Sequence, residues 1–275
     1  MRYLADFFSK IFLSLFFFHP NHPVKQNVFK IFKIYHPEIF KIKFKLNKSM
    51  TKFCSCIIPF HNEHKTIIPV LEEISKVKLF HKIICVNDGS TDSSPNLVKK
   101  FFPEVVLINL KKNSGKTNAV KKGLELVNSE FVLLIDADLK NLKSEEISRT
   151  ILKMKNSSNV DMIILKRLNS SFHIKLFRAN TVLSGERIIK ADDLGNILKK
   201  NIHGYLLEFA INEYMIKNNK KVFWTPSSAV NSFRAKKWGI KKSIKTNLNM
   251  LIAFSKYPGL KNLIIQSLTF AKNRI

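Results

Sequence analysis

The chain has 275 residues, a mass of 31.8 kDa, a formal charge of +27 and a pI near 10.0, enough for one large domain with a real core plus appendages. Its three cysteines, Cys54, Cys56 and Cys85, lie in apolar runs without scaffold spacing; this excludes a disulfide framework and reads as reduced core residues, not a metal pair. The charge leaves two readings, an acidic partner (nucleic acid, anionic lipid or a phosphorylated substrate) or a Lys-, Ile-, Phe- and Asn-heavy composition; no motif for reading DNA or RNA is present, so no specific nucleic acid is expected.

Residues 1–50 form a basic, aromatic N-terminal extension. Its most apolar run, Ile11 to Phe18, is well short of the roughly 20 residues of a spanning helix and lacks a small-residue cleavage site. Between Phe40 and Leu46 apolar residues alternate with Lys41, Lys43 and Lys45, a period of two that fits an edge strand or an extended basic arm.

From Phe53 onward, four short apolar runs each end in a polar cluster. Strands are predicted over 53–60, 83–86, 105–110 and 131–135, with another at 162–165. Helices are predicted over 65–77, from the serines after Asp92 to Phe102, and over 114–127. Strand and helix alternate, so the α/β domain over 51–240 should hold a mostly parallel sheet flanked by helices. Further on, 204–217 reads as an amphipathic helix and 221–233 as strand, turn at Pro226, strand. Residues 241–275 read as a basic amphipathic tail of two helices broken at Pro258-Gly259, and no acid occurs from Tyr214 to Ile275. The stripe Leu260, Leu263, Ile264, Leu268, Ala271 suits docking on the domain or lying on an anionic membrane surface.

In open parallel sheets ligands bind beyond the carboxyl ends of the strands, and here those ends carry Asn62, Glu63, Asp88, Asp92, Asp136 and Asp138. Residues two apart at a strand end face one space, so the Asp136 and Asp138 carboxylates call for a divalent cation such as Mg²⁺ or Mn²⁺. In VNDGSTD, Asp88 closes a strand before a glycine and a hydroxyl-rich turn, where a carboxylate can bind a base or ribose or else act in turn chemistry. NSGKT, residues 113–117, is not a P-loop, because Leu110 stands where the first glycine belongs, yet Lys116 at a helix start can still serve a phosphate.

IIPFHNE, VNDGSTD, NSGKTNAVKKG and LLIDADL, in this order and spacing, closely resemble the family 2 glycosyltransferases of GT-A fold, including the polyprenyl-phosphate hexose synthases and glucosyl-phosphoglycerate synthase-like members. The resemblance implies a GT-A nucleotide-diphospho-sugar transferase fold. It also implies that Asp88 contacts the base, that Pro59 and Glu63 line the nucleotide pocket, that Asp136 and Asp138 hold the ribose and the metal-diphosphate, and that Lys116 lies beside the nucleotide. Downstream, LSGER (Leu183 to Arg187) and the helix bearing Glu208 are similar to the acceptor side of members that act on phosphorylated or lipid-phosphate acceptors. No histidine stands near Val230 or Asn231 for a third metal ligand, and the Q-x-x-R-W signature of processive synthases is absent.

The expected activity is therefore inverting, metal-dependent transfer of a hexose from a nucleotide-diphosphate sugar. An alcohol acceptor must lose a proton, for which Glu186, Asp192, Asp193 or Glu208 are candidates. A phosphate monoester needs no base, and Arg187 and Arg234 would grip it. Asp138, Glu186, Arg187 and Glu208 are thus the catalytic candidates, in a protein expected to be cytoplasmic and peripheral at the cytoplasmic membrane face.

Overall fold

The structure, a computed structural model, describes residues 52–168, 179–200, 202, 206–231, 265–266 and 269–275. The expected extension 1–50, its period-two stretch, Arg234, the helical reading of the tail and four of its five stripe residues lie outside them.

Strand β1 (Cys54–Phe60) leads to α1 (Ile67–Lys76), β2 (Phe80–Asn87) to α2 (Ser94–Phe101) and β3 (Val106–Asn109) to α3 (Lys116–Leu124). Then β4 (Phe131–Leu134) leads to β5 (Leu139–Lys140) and α4 (Ser144–Asn156). The chain continues through β6 (Met162–Arg167), α5 (Ala179–Val182), β7 (Arg187–Lys190), α6 (Ala191–Leu198), α7 (Leu207–Lys217), β8 (Val222–Ser227) and β9 (Val230–Asn231). Seven strands form one sheet in the order β3-β2-β1-β4-β7-β6-β8, and β5 pairs with β9 apart from it.

The apolar runs of β1 and β4 are buried on both faces because helices cover both. Cys54, Cys56, Ile58 and Phe60 of β1 face a core closed by Ile67, Leu71 and Ile74 of α1 and Ile147, Ile151 and Met154 of α4. Ile57 faces the opposite core, closed by Ala119 and Val120 of α3, Leu194 and Ile197 of α6, and Ile211 and Met215 of α7. The three cysteines are free and buried, and burial raises their pKa values, that of Cys54 to about 12.

Within this sheet β7 is the exception that builds the site. It runs antiparallel to β4 on one side and to β6 on the other, so Arg187, its first residue, pairs with Leu134, the last of β4. A reversed strand thereby delivers its amino end to the edge where β1, β2, β4, β6 and β8 deliver their carboxyl ends.

Pro226 is not in a turn as expected but inside β8, opposite Lys166. It shares the parity of Trp224, whose N–H donates to the Asn273 carbonyl at 3.0 Å on the outer side of β8, so the missing N–H of Pro226 falls away from the ladder with β6. The Ile275 N–H returns a bond of 3.1 Å to the Trp224 carbonyl, and Phe270 and Ala271 are buried. Residues 270–275 dock on the domain.

Candidate active site

The polar tips after β1 and β2 hold one another. Asn62, in the left-handed region at φ 57°, accepts the N–H of Thr91 at 2.8 Å and of Asp92 at 3.3 Å on its Oδ1. The Glu63 N–H donates to Ser94 Oγ at 2.8 Å, and Asp92 accepts the Ser94 N–H at 3.0 Å. Asn62 and Asp92 are therefore scaffold. The Glu63 carboxylate, partly exposed, accepts the Thr66 hydroxyl at 2.7 Å. Pro59, also partly exposed, shares the parity of Ile57, whose carbonyl accepts the Ile135 N–H, and its missing N–H faces the β4 side past the last paired residue.

Asp88, only 4% exposed, accepts the Ser114 N–H at 2.8 Å and hydroxyl at 3.1 Å on one oxygen, and the Gly115 N–H at 2.8 Å on the other. Asp88 thereby pins the turn that starts α3. The same bonds occupy the amides a P-loop would offer to phosphate. Gly89, at φ +66°, is obligatory here, since a Cβ would lie 2.5 Å from the Lys112 carbonyl carbon.

The next residue after that pinned turn is Lys116. Its ammonium donates to Asp136 Oδ1 at 2.5 Å and to Glu208 Oε1 at 2.8 Å, joining α3, the end of β4 and the first turn of α7. Side-chain exposures of 29% for Lys116, 21% for Asp136 and 12% for Glu208 leave the cluster open to a ligand. Burial works against both charges of the Lys116–Asp136 pair. The two carboxylates nonetheless raise the lysine pKa, and Lys116, Arg167 and Arg187 lower that of Asp136, so both groups of that pair are ionised near neutrality. Asp88 and Asp136, distant in sequence, are linked through three consecutive residues, Ser114 to Lys116.

Gly185 forms the wall behind this bridge. A Cβ there would stand 2.6 Å from Asp136 Oδ2 and 2.8 Å from Lys116 Nζ, so the ion pair rests directly on the backbone. On either side the expected acceptor residues are buried. Glu186 accepts the Ser184 hydroxyl at 2.7 Å and faces Arg167 at 3.5 Å; Arg187 has no exposed surface and gives its donors to the Ser184 carbonyl and to Asn212 Oδ1 at 2.9 Å. Burial depresses the Arg187 pKa, with Glu208, Glu186 and Asp136 opposing that shift. A grip on acceptor phosphate by Arg187, and proton abstraction by Glu186, both require an exposure these side chains lack.

Asp192 and Asp193 are excluded by topology. They follow Lys190, which pairs with Phe131 at the start of β4, the opposite edge of the sheet; Asp192 is exposed there, and Asp193 binds Tyr214 and Lys220, both at 3.0 Å. Arg167, Ser184 and Asn212 belong to the site; Ser184 and Asn212 lie in the LSGER segment and the Glu208 helix marked by the resemblance, with no role of their own assigned, and Arg167 was not foreseen.

A divalent cation fits the donor set in one way. Ala137 is buried while Asp136 and Asp138 on either side are partly exposed, so two hard oxygen donors flank one inward-turned residue. Among the described residues no group of three or more His, Cys, Asp or Glu side chains is placed to hold a metal. The fit is to an ion that completes its shell with water and diphosphate oxygens, not to an all-protein cage.

Residues 55–233 match the model of the glycosyl transferase family 2. An uncharacterized protein of Methanocaldococcus jannaschii is 29% identical over 196 residues, 60% of this chain and 83% of that protein. A dolichyl-phosphate beta-glucosyltransferase of Dictyostelium discoideum is 26% identical over 165 residues, 55% of this chain, and the chain spans only 47% of that enzyme's length. Among solved structures, glucosyl-3-phosphoglycerate synthase from Mycobacterium tuberculosis, in complex with Mn²⁺, UDP-glucose and phosphoglyceric acid, superposes with a TM-score of 0.58 at 17% identity, over 78% of this chain and 80% of that one. That likeness shows the GT-A fold. With the family match covering the whole edge on which Asp88, Lys116, Asp136, Glu186 and Glu208 meet, this chain belongs to glycosyl transferase family 2 and is a glycosyltransferase.

Proposed function

We propose that the protein transfers a hexose, with inversion, from a nucleotide-diphosphate sugar to a phosphorylated acceptor, a polyprenyl phosphate or a small phosphorylated acid. The observation that carries this reading is the Lys116 ammonium held between Asp136 and Glu208 at a partly exposed strand edge. The acceptors named for the dolichyl-phosphate and phosphoglycerate relatives support it. So does the basic composition, which favours an anionic partner.

In the transfer, an acceptor oxygen bonds to the anomeric carbon while the bond from that carbon to the diphosphate oxygen breaks and the diphosphate leaves with the electron pair. Lys116 supplies fixed positive charge to that leaving group, preorganised by Asp88 behind it and two carboxylates beside it. Pro59 and Glu63 line the nucleotide side. Mg²⁺ or Mn²⁺ would be held by Asp136 and Asp138 and would neutralise diphosphate charge when bound. Arg187 acts from behind the site, through Ser184 and Asn212. The three free cysteines suit a reducing compartment, and the acid-free stretch from Tyr214 onward suits peripheral contact with anionic lipid at the cytoplasmic face. Among the described residues no helix is long and apolar enough to cross a membrane.

A hydroxyl acceptor is the second reading, favoured by Glu208, a partly exposed carboxylate inside the cluster and able to take a proton. The two readings separate in one assay. Nucleotide sugars are supplied with Mn²⁺ and either a phosphomonoester, with and without polyprenyl chain, or a plain glycoside, for wild type and E208Q. Transfer to the phosphomonoester that survives E208Q supports the first reading; transfer only to the hydroxyl, abolished by E208Q, replaces it with the second. Absence of nucleotide-sugar binding by calorimetry refutes both.

A further inference from the structure

Arg187 is a guanidinium with no exposed surface, and the charges of Glu208, Glu186 and Asp136 offset the penalty of burying it. Its orientation is set by a relay of amides. Arg187 donates to Asn212 Oδ1 at 2.9 Å, and Asn212 Nδ2 donates to the Val182 carbonyl at 2.9 Å and to Gln266 Oε1 at 3.1 Å. Both amide side chains are buried, Asn212 at 0% and Gln266 at 2% exposure. Gln266 comes from the segment strapped to β8, in which residues 273–275 bond to Trp224 and Phe270 and Ala271 fill the core beneath α6 and α7.

Building on the transferase reading above, we infer that Asn212 and Gln266 are positioning residues for the transfer, and that the segment carrying Gln266 is part of the catalytic apparatus. The path is short and physical. Gln266 fixes the Asn212 amide, Asn212 fixes the Arg187 guanidinium, and Arg187 holds the Ser184 carbonyl through Nε at 3.0 Å. Ser184 precedes Gly185, the backbone on which Asp136 and Lys116 rest. A buried polar chain with every member bonded admits one arrangement, whereas one with a missing member admits several. The loss should therefore appear in how well the bridge is held for the transition state, not in how well the nucleotide binds.

The test compares the full chain with Q266M, N212L and the double variant in steady-state transfer. Q266M removes the acceptor at nearly constant volume. It should lower kcat roughly 3- to 10-fold, the range for one lost neutral hydrogen bond, with KM for the nucleotide sugar within about twofold of wild type. Q266E, which keeps an acceptor oxygen for Asn212, should recover most of that loss. The double variant should be no slower than N212L alone, because Gln266 acts through Asn212. An unchanged kcat for Q266M, a parallel rise of KM, or losses in the double variant that multiply would each overturn the inference. Should Q266M not fold, Q266N, whose amide is shorter by one methylene, is read the same way. If wild type itself shows no turnover, the transferase reading fails instead. The relay is then judged by NMR exchange of the Arg187 Nε–H, which Q266M should speed by at least about fivefold, an unaltered rate overturning it.

Discussion

Replacing Gly185 by alanine separates the site from the fold. The new Cβ would stand 2.6 Å from Asp136 Oδ2, 2.8 Å from Lys116 Nζ and 2.9 Å from Asp136 Cγ. Ordinary contact needs roughly 3.4 Å, so the bridge must retreat by roughly 0.8 Å. Both obstructing groups are side-chain ends with room toward solvent, 21% and 29% exposed, so the backbone and core need not move. The stability change should stay within about 1 kcal/mol, because the atoms nearest the new Cβ are ends of flexible side chains. A displacement near 1 Å at a reacting centre costs up to about 100-fold, so kcat/KM for the nucleotide sugar should fall roughly 30- to 100-fold. Steady-state kinetics beside urea unfolding on the same preparations decides it. Wild-type kcat/KM in a folded G185A would refute the claim that the Lys116–Asp136 bridge serves the chemistry, and a large stability loss would refute the claim that the bridge can yield alone.

Gly123 gives the opposite outcome: a Cβ there would lie 2.8 Å from Ile57 Cγ2 and 3.1 Å from Val86 Cγ2 in a packed core, so G123A should destabilise by about 1–2 kcal/mol despite better helix propensity, read as a lower urea midpoint. Asp161 accepts the Lys221 N–H at 2.8 Å and Lys190 Nζ at 2.9 Å, and although burial opposes its charge, these partners lower its pKa. Its folded value lies below the unfolded one near 3.9, so its contribution is present above about pH 4 and lost as pH falls through the folded value. D161N should then be about 1–2 kcal/mol less stable than wild type at pH 7, and the gap should close toward pH 3. None of the three cysteines should react with a thiol reagent in the native protein, and all should react on unfolding, because each is buried with a raised pKa.

The first half of the domain was legible because strand, polar tip and helix repeat there at regular intervals. Cys54–Phe60, Phe131–Leu134 and the helices α1, α2 and α3 fall within a few residues of expectation, although β2 begins at Phe80, three residues early. The carboxylates at strand ends were legible for the same reason, since topology puts strand ends at one edge. β7 was not. It is four residues, R-I-I-K, with charge at both ends and no period, and its antiparallel direction, which brings Glu186 and Arg187 to Asp136, leaves no local mark. α4 and α6 were likewise unforeseen. Nor could sequence tell that Arg187 is buried, for an arginine beside a glutamate reads as surface until three carboxylates and an asparagine are folded around it. Asp88 shows a subtler limit: its strand-end position was right, but its partners, two backbone amides from a loop 26 residues on, exist only in the folded chain.

The central claim is that the carboxylates after β4 serve a nucleotide-diphosphate sugar. It is tested most directly by measuring transfer and donor hydrolysis with Mn²⁺, with chelator, and in D138A whose fold is verified by its unfolding transition. Turnover is expected in the first case and a loss of at least about 100-fold in the other two, the scale of removing a principal electrostatic group. Undiminished turnover with the metal chelated, or in D138A, would contradict it.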